Sequence, residues 1–91
     1  MSGTLKYVEA FARLMESKLA ENRHKGDRDG WQTISSEELL QLLRDEVDEL
    51  SVALIRNRAP NARTRKAVRR ECADIANFAL MIADVAGGLS T

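Results

Sequence analysis

Acidic side chains gather at two places along the chain: Asp45, Glu46, Asp48 and Glu49, and then Glu71 and Asp74. Within each place one pair stands three residues apart, Glu46 with Glu49 and Glu71 with Asp74. On a helix that spacing puts both carboxylates on one face. Four carboxylates brought together repel one another, and divalent cations between them relieve the repulsion. An all-oxygen ligand set suits Mg²⁺ or Mn²⁺, and Mg²⁺ keeps waters and binds phosphate oxygens well. A carboxylate pair on each of two facing helices is therefore a sensible cradle for a nucleoside triphosphate. The competing reading is a solvated helix face, the ordinary place for acids on an amphipathic helix. It suits Asp48, Glu37 and Glu38. It suits Asp74 less, because Asp74 adjoins a long apolar run where an unpaired charge is costly.

The elements that must position these acids follow from the breaks and the apolar spacing. Gly26 and Gly30 mark one break, Asn57 to Asn61 with Pro60 a second, and Gly87 with Gly88 the end. Between them the pattern has helical period. A first helix is expected from about Thr4 to Arg23, with Leu5, Val8, Phe11, Ala12, Met15 and Leu19 on one stripe and Glu9, Arg13, Glu16 and Lys18 largely off it. Asn22 to Thr33 reads as a polar loop. A second helix opens on a capping box of Ser35 with Glu38, carries Leu39, Leu40, Leu42, Leu43, Val47, Leu50, Ala53 and Leu54, and stops near Arg56. A third runs from about Ala62 to a left-handed cap at Gly87. The short linker from Arg56 to Ala62 favours an antiparallel pair, which lets the two acid pairs meet.

The third helix is basic at first (Arg63, Arg65, Lys66, Arg69, Arg70) and nearly all apolar from Ile75 to Ala86. Ile75, Phe78, Leu80, Met81, Ile82 and Val85 cannot share one narrow stripe, so the helix needs cover on several sides. Three helices of one short chain hardly supply it. Self-association with this helix at the centre is the expectation, as a homotetramer arranged as a dimer of dimers rather than a dimer.

Composition narrows the class. The chain has 91 residues, which reads as one domain over residues 1–91. Lys plus Arg and Asp plus Glu are both 14. A net charge of zero argues against attraction of the whole molecule to nucleic acid or membrane. The single cysteine, Cys72, can form no intrachain disulfide and reads as a small core residue. The charged residues of the first helix do not make a secretory signal, and no apolar run reaches the roughly 20 residues that span a bilayer. The cytoplasm is the expected location.

Asp45-Glu46-Val47-Asp48-Glu49-Leu50, followed by Glu71-Cys72-Ala73-Asp74, resembles the E-E-x-x-E … E-x-x-D signature of the MazG-like all-α NTP pyrophosphohydrolases. The stretch from Glu71 to Asp84 and the segment Lys25 to Trp31 are similar to phage and bacterial members that act on dATP and dGTP. The resemblance covers about Asn22 to Gly87. It implies an all-α bundle of the NTP pyrophosphatase type, completed by oligomerisation, with active sites built with help from neighbouring subunits. A phage-encoded member would work in the host cytoplasm. It implies Mg²⁺ or Mn²⁺ held by Glu46, Glu49, Glu71 and Asp74. It also implies attack of water on the α-phosphorus, with pyrophosphate leaving. Glu46, Glu49 and Asp45 are then the candidate catalytic groups. Asp45 stands where the family has Glu, so it is read as a partner to a ligand or as a group that positions water.

Substrate contacts are expected from Asn77, Lys25, Trp31 and Arg70. Asn77 lies one turn beyond Asp74 and could bond the sugar or base, or be a satisfied core amide. Lys25, and less so Arg28, could reach phosphates or simply solvate the loop. Trp31 offers its ring to a base or anchors the loop. Arg70 or Lys66 could face the triphosphate, while most of the Arg63 to Arg70 run reads as a solvated face. His24 reads as an exposed helix-end residue. Asp84 either pairs with a basic group of another subunit or faces solvent. Three other readings remain: phosphoribosyl-ATP pyrophosphohydrolase, against which the Lys25 to Trp31 segment speaks, a non-catalytic helical oligomer that binds nucleic acid through Arg63 to Arg70, and a metal-stabilised structural bundle that binds cation and turns nothing over. That basic run lacks interleaved aromatics for stacking on single strands.

Overall fold

Apolar residues at helical spacing produce three long helices, and a single helical turn stands between the first two of them: α1 (Ser2–Glu21), α2 (Arg28–Trp31), α3 (Ser36–Arg56) and α4 (Ala62–Gly87). The computed structural model describes residues 2–21 and 27–90. Among the described residues all regular structure is helical. None of these helices is long and apolar enough to cross a membrane.

The caps explain the boundaries. Ser35 Oγ accepts the Glu38 backbone N–H at 3.1 Å and starts α3. The reciprocal capping box forms at α4 instead. There Asn61 Oδ1 accepts the Thr64 N–H at 3.0 Å, and Thr64 Oγ1 accepts the Asn61 N–H at 2.9 Å. At the other end α4 runs through Gly87, and Gly88 takes the left-handed conformation (φ 61°, ψ 49°) expected one residue earlier. Its N–H reaches back to the Ala83 carbonyl.

The expected loop before α3 contains a single helical turn, α2. Gly30 and Trp31 both donate to the Asp27 carbonyl, at 2.8 and 3.1 Å, and Gln32 donates to Arg28 at 3.0 Å. No apolar period announces so short an element. It is held by contacts with α4 described below.

α4 is the central helix of the chain, packed along α3 and also against α1. The α3–α4 hairpin closes over small residues, with Ala53 and Ala73 both buried. Leu39 of α3, 0 % exposed, is the only large side chain fully enclosed among the described residues. Truncating it is expected to cost about 2–5 kcal/mol, as for other enclosed leucines. A Leu39→Ala urea titration that showed almost no loss would remove Leu39 from the core.

The apolar cover is thin. Leu39, Ala53 and Ala73 are the only buried apolar residues described. The radius of gyration, 14.2 Å, exceeds the roughly 12 Å of a compact domain this long. The large exposed apolar residues do not lie on α4. They lie on α1 (Leu5, Tyr7, Val8, Phe11), on α3 (Leu40, Leu42, Val47, Val52, Leu54, Ile55) and at Leu89. α1 and α3 both pack against α4 and leave large apolar residues of their own exposed.

Candidate active site

The antiparallel α3–α4 pair brings the two acid groups together. Glu46 and Glu49 from α3 and Glu71 from α4 each offer a carboxylate oxygen, and the three oxygens lie within 4.8 Å of one another. Glu46 and Glu71 are half-buried, whereas Glu49 is exposed. Oε2 of Glu46 and Oε2 of Glu71 are both buried without a hydrogen-bond donor. Burial pushes Glu46 up to about 7, helped by a hydrogen bond with Glu71 and by the charges of Asp74, Glu49 and Glu71. That hydrogen bond needs a proton between the two carboxyls. With both ionised, neither Oε2 has a donor. A divalent cation satisfies such oxygens without any donor, so the residues present fit one.

Asp74 stands one turn beyond Glu71 and is half-buried. Its Oδ1 lies 3.4 Å from Lys18 Nζ of α1. Lys18 is only 13 % exposed at its side chain. The apolar spacing puts it largely off the buried stripe. Its position three residues after Met15 and seven after Phe11 was the available signal that it could turn inward.

Two of these acids, Glu46 and Asp74, border a cavity of about 440 Å³. Glu46, Asp74 and Lys18 line its polar side, and Leu19, Trp31, Ile34, Leu39, Phe78 and Met81 line its apolar side. Its size falls in the usual range for small-molecule sites, roughly 300–1,000 Å³. Asn77 also lines it and is 4 % exposed. Its Nδ2 donates to the Met15 carbonyl at 3.1 Å, while its Oδ1 is buried without a partner. The Met15 carbonyl fixes which way the amide faces, since only the nitrogen can donate to it.

Of the residues singled out in the sequence, Glu46, Asp74, Asn77 and Trp31 thus line one cavity, and Glu49 and Glu71 adjoin it through Glu46. Two others are engaged elsewhere. Asp45 is exposed, and its Oδ1 accepts from Gln41 at 3.0 Å. Arg70 is held by Glu21 of α1 at 2.7 Å. That contact raises Arg70 and lowers Glu21 from their ordinary values. Lys25 and His24 lie outside the described residues. Cys72 is half-buried, and Arg63, Arg65, Lys66 and Arg69 are exposed.

Asp84 departs from both expectations for it. It neither faces solvent nor waits for another subunit. Its side chain is 6 % exposed and pairs within its own chain with Arg28, at 3.0 Å from Nε to Oδ2. Arg28 is thereby engaged away from the acids. The Arg28 hydrogen bond, followed by that of Trp31, holds the Asp84 carboxyl below the ordinary carboxylate range. Comparison with protein-family models, with curated proteins and with solved structures returned no match.

Proposed function

We propose that the chain is a divalent-metal-dependent hydrolase that converts nucleoside triphosphates to monophosphates and pyrophosphate, with the fold type and reaction of the MazG-like enzymes it resembles. dGTP and dATP are the proposed preferred substrates, on that resemblance. The observation that carries the reading is the placement of two buried, donorless carboxylate oxygens, on Glu46 and Glu71, beside a cavity with an apolar wall. Cation-binding oxygens and a slot for a flat apolar ring are the two things a nucleotide needs at its opposite ends.

Glu46, Glu49 and Glu71 would hold Mg²⁺ or Mn²⁺, with Asp74 joining when Lys18 turns from it toward phosphate. Bound there, the ion would neutralise phosphate charge and lower the pKa of water. A carboxylate of the group that the ion does not fully engage, Glu46 or Glu49, would take the water's proton. Lys18, beside Asp74, supplies positive charge where pyrophosphate would leave. Trp31 and Phe78 would flank the base. Asn77 Oδ1 would accept an N–H from base or sugar once a ligand reaches it. The proposed working form is a homotetramer, which would cover the bare faces of α1 and α3.

The test is product analysis. Each dNTP and NTP is incubated with the full chain in Mg²⁺ and then in EDTA, and products are resolved by anion exchange. Monophosphate and pyrophosphate are expected with metal only. Inorganic phosphate and diphosphate would point to a different bond. No turnover by folded, metal-loaded protein would refute the reading for nucleotide pools and make phosphoribosyl-ATP the next substrate.

A further inference from the structure

One carboxylate holds the whole α2 segment. Asp84, near the end of α4, accepts from Arg28 Nε at 3.0 Å and Arg28 Nη2 at 3.0 Å. It also accepts from Trp31 Nε1 at 3.0 Å and Gln32 Nε2 at 3.3 Å. Three of these four bonds end on Oδ2 and one on Oδ1. A bidentate guanidinium with two further donors is a geometrically demanding arrangement, and a buried carboxylate keeps its charge only with such partners. All the donors come from the short stretch Arg28 to Gln32, more than fifty residues away in the chain. α2 has no apolar period of its own, and this contact ties it to α4.

Trp31 is the residue whose position matters. It borders the cavity of about 440 Å³ that holds Glu46 and Asp74. It also borders a second of about 340 Å³, lined by Arg28, Leu80, Asp84 and Leu89, and a third of about 300 Å³ with Glu16, Leu19 and Ala20 on its wall. Space therefore exists on more than one side of the indole. Its single N–H is spent on Asp84, which selects one orientation among those the space permits.

We infer that Asp84 is a positioning residue for the ligand cavity: by gripping Arg28, Trp31 and Gln32 together, it fixes the Trp31 ring as the wall between the acid-lined cavity and the space behind, and so sets how closely a planar ring is held there. Only the identity of that ring as a nucleobase rests on the proposed function. Without the grip the indole can retreat into the neighbouring spaces, and a bound ring loses a stacking face. The acids on the far side, Glu46, Glu49 and Glu71, keep their geometry because α3 and α4 pack without α2.

Trp31 is the only tryptophan in the chain, so its emission reports this wall alone. Wild type, Asp84→Asn and Arg28→Met are compared by Trp31 emission and acrylamide quenching, by Mn²⁺ affinity, and by KM and kcat for the best nucleotide of the product screen. In Asp84→Asn the emission should shift red and quenching rise, with Mn²⁺ affinity unchanged. KM should rise about tenfold, the worth of one aromatic stacking contact, with kcat nearly preserved. Arg28→Met should move the same readouts less, and it decides the matter if Asp84→Asn does not fold. Unchanged quenching in the folded variants overturns the inference, and so does a freed Trp31 with KM unmoved. A wild type that turns over no nucleotide sinks the proposed function, and the inference is then decided by Trp31 quenching: a rise upholds the grip and no change overturns it.

Discussion

Glu46→Gln is expected to abolish turnover while making the metal-free protein more stable at neutral pH. The two effects have one cause. Glutamine keeps the shape of Glu46 but cannot carry the negative charge that binds a cation or takes a proton. Loss of several kcal/mol of transition-state stabilisation corresponds to a fall in kcat on the order of 10³-fold or more. The same charge is a liability when no cation is present, because it is half-buried among Glu49, Glu71 and Asp74.

The sign of the pH dependence follows. Glu46 titrates at about 7 in the folded chain against 4.5 for an ordinary glutamate. Between those values the folded state binds more protons than the unfolded one, so stability falls as pH rises through that window. Metal-free wild type should lose melting temperature between about pH 5 and about pH 8, and Glu46→Gln should flatten the loss. Asp84 acts in the opposite sense. Its carboxyl is held low by Arg28 and Trp31, so its contribution is present above the unfolded value and is lost only in stronger acid. Mg²⁺ should restore the wild type at the alkaline end by binding the folded state alone, and should do little for Glu46→Gln. Thermal melts with and without Mg²⁺, beside single-turnover assays, check both halves. A Glu46→Gln protein that still binds Mn²⁺ and turns over nucleotide at the wild-type rate would take Glu46 out of the site.

Much of this arrangement is legible in the sequence, and the limits are physical. The course of α3 and α4 can be read because Ser35 and Asn61 sit where helices begin, and apolar spacing carries each helix to its end. The approach of Glu46 to Glu71 can be read because a short linker leaves few alternatives to an antiparallel pair. α2 cannot be read, since its stability comes from Asp84 at the far end of the chain. Lys18 cannot be read with certainty either: a lysine beside an apolar stripe has the same local pattern whether its tip lies in water or against Asp74. Periodicity also reports which residues share a stripe without reporting which stripe is covered. The apolar half of α4 calls for cover on several sides, yet its large residues are half-buried against α1 and α3, and the most exposed ones lie on those two helices.

That displacement makes α1 the place where the proposed self-association would be broken. Val8 and Leu5 are 58 % and 54 % exposed and share a face one turn apart. On α3, Ile55 and Leu54 are similarly bare, at 56 % and 50 %. Fully burying an aliphatic side chain of this size contributes about 1.5–3 kcal/mol. A chain that, among the described residues, encloses only Leu39, Ala53 and Ala73 as apolar core has little else to draw on. The double variant Leu5→Glu, Val8→Glu leaves α1 a good helix former, because glutamate has high helix propensity. Its effect should therefore come from the surface. Light scattering should show the wild type at a multiple of the 10.2 kDa chain mass and the variant shifted toward that mass. Its melting temperature should fall by about 10 °C or more, since two lost burials approach the net stability of a domain this small. Turnover should fall with it to the extent that a neighbouring chain completes the site. A wild type that runs at 10.2 kDa at all concentrations, with a variant equally stable, would mean that the bare faces of α1 and α3 are simply tolerated in water.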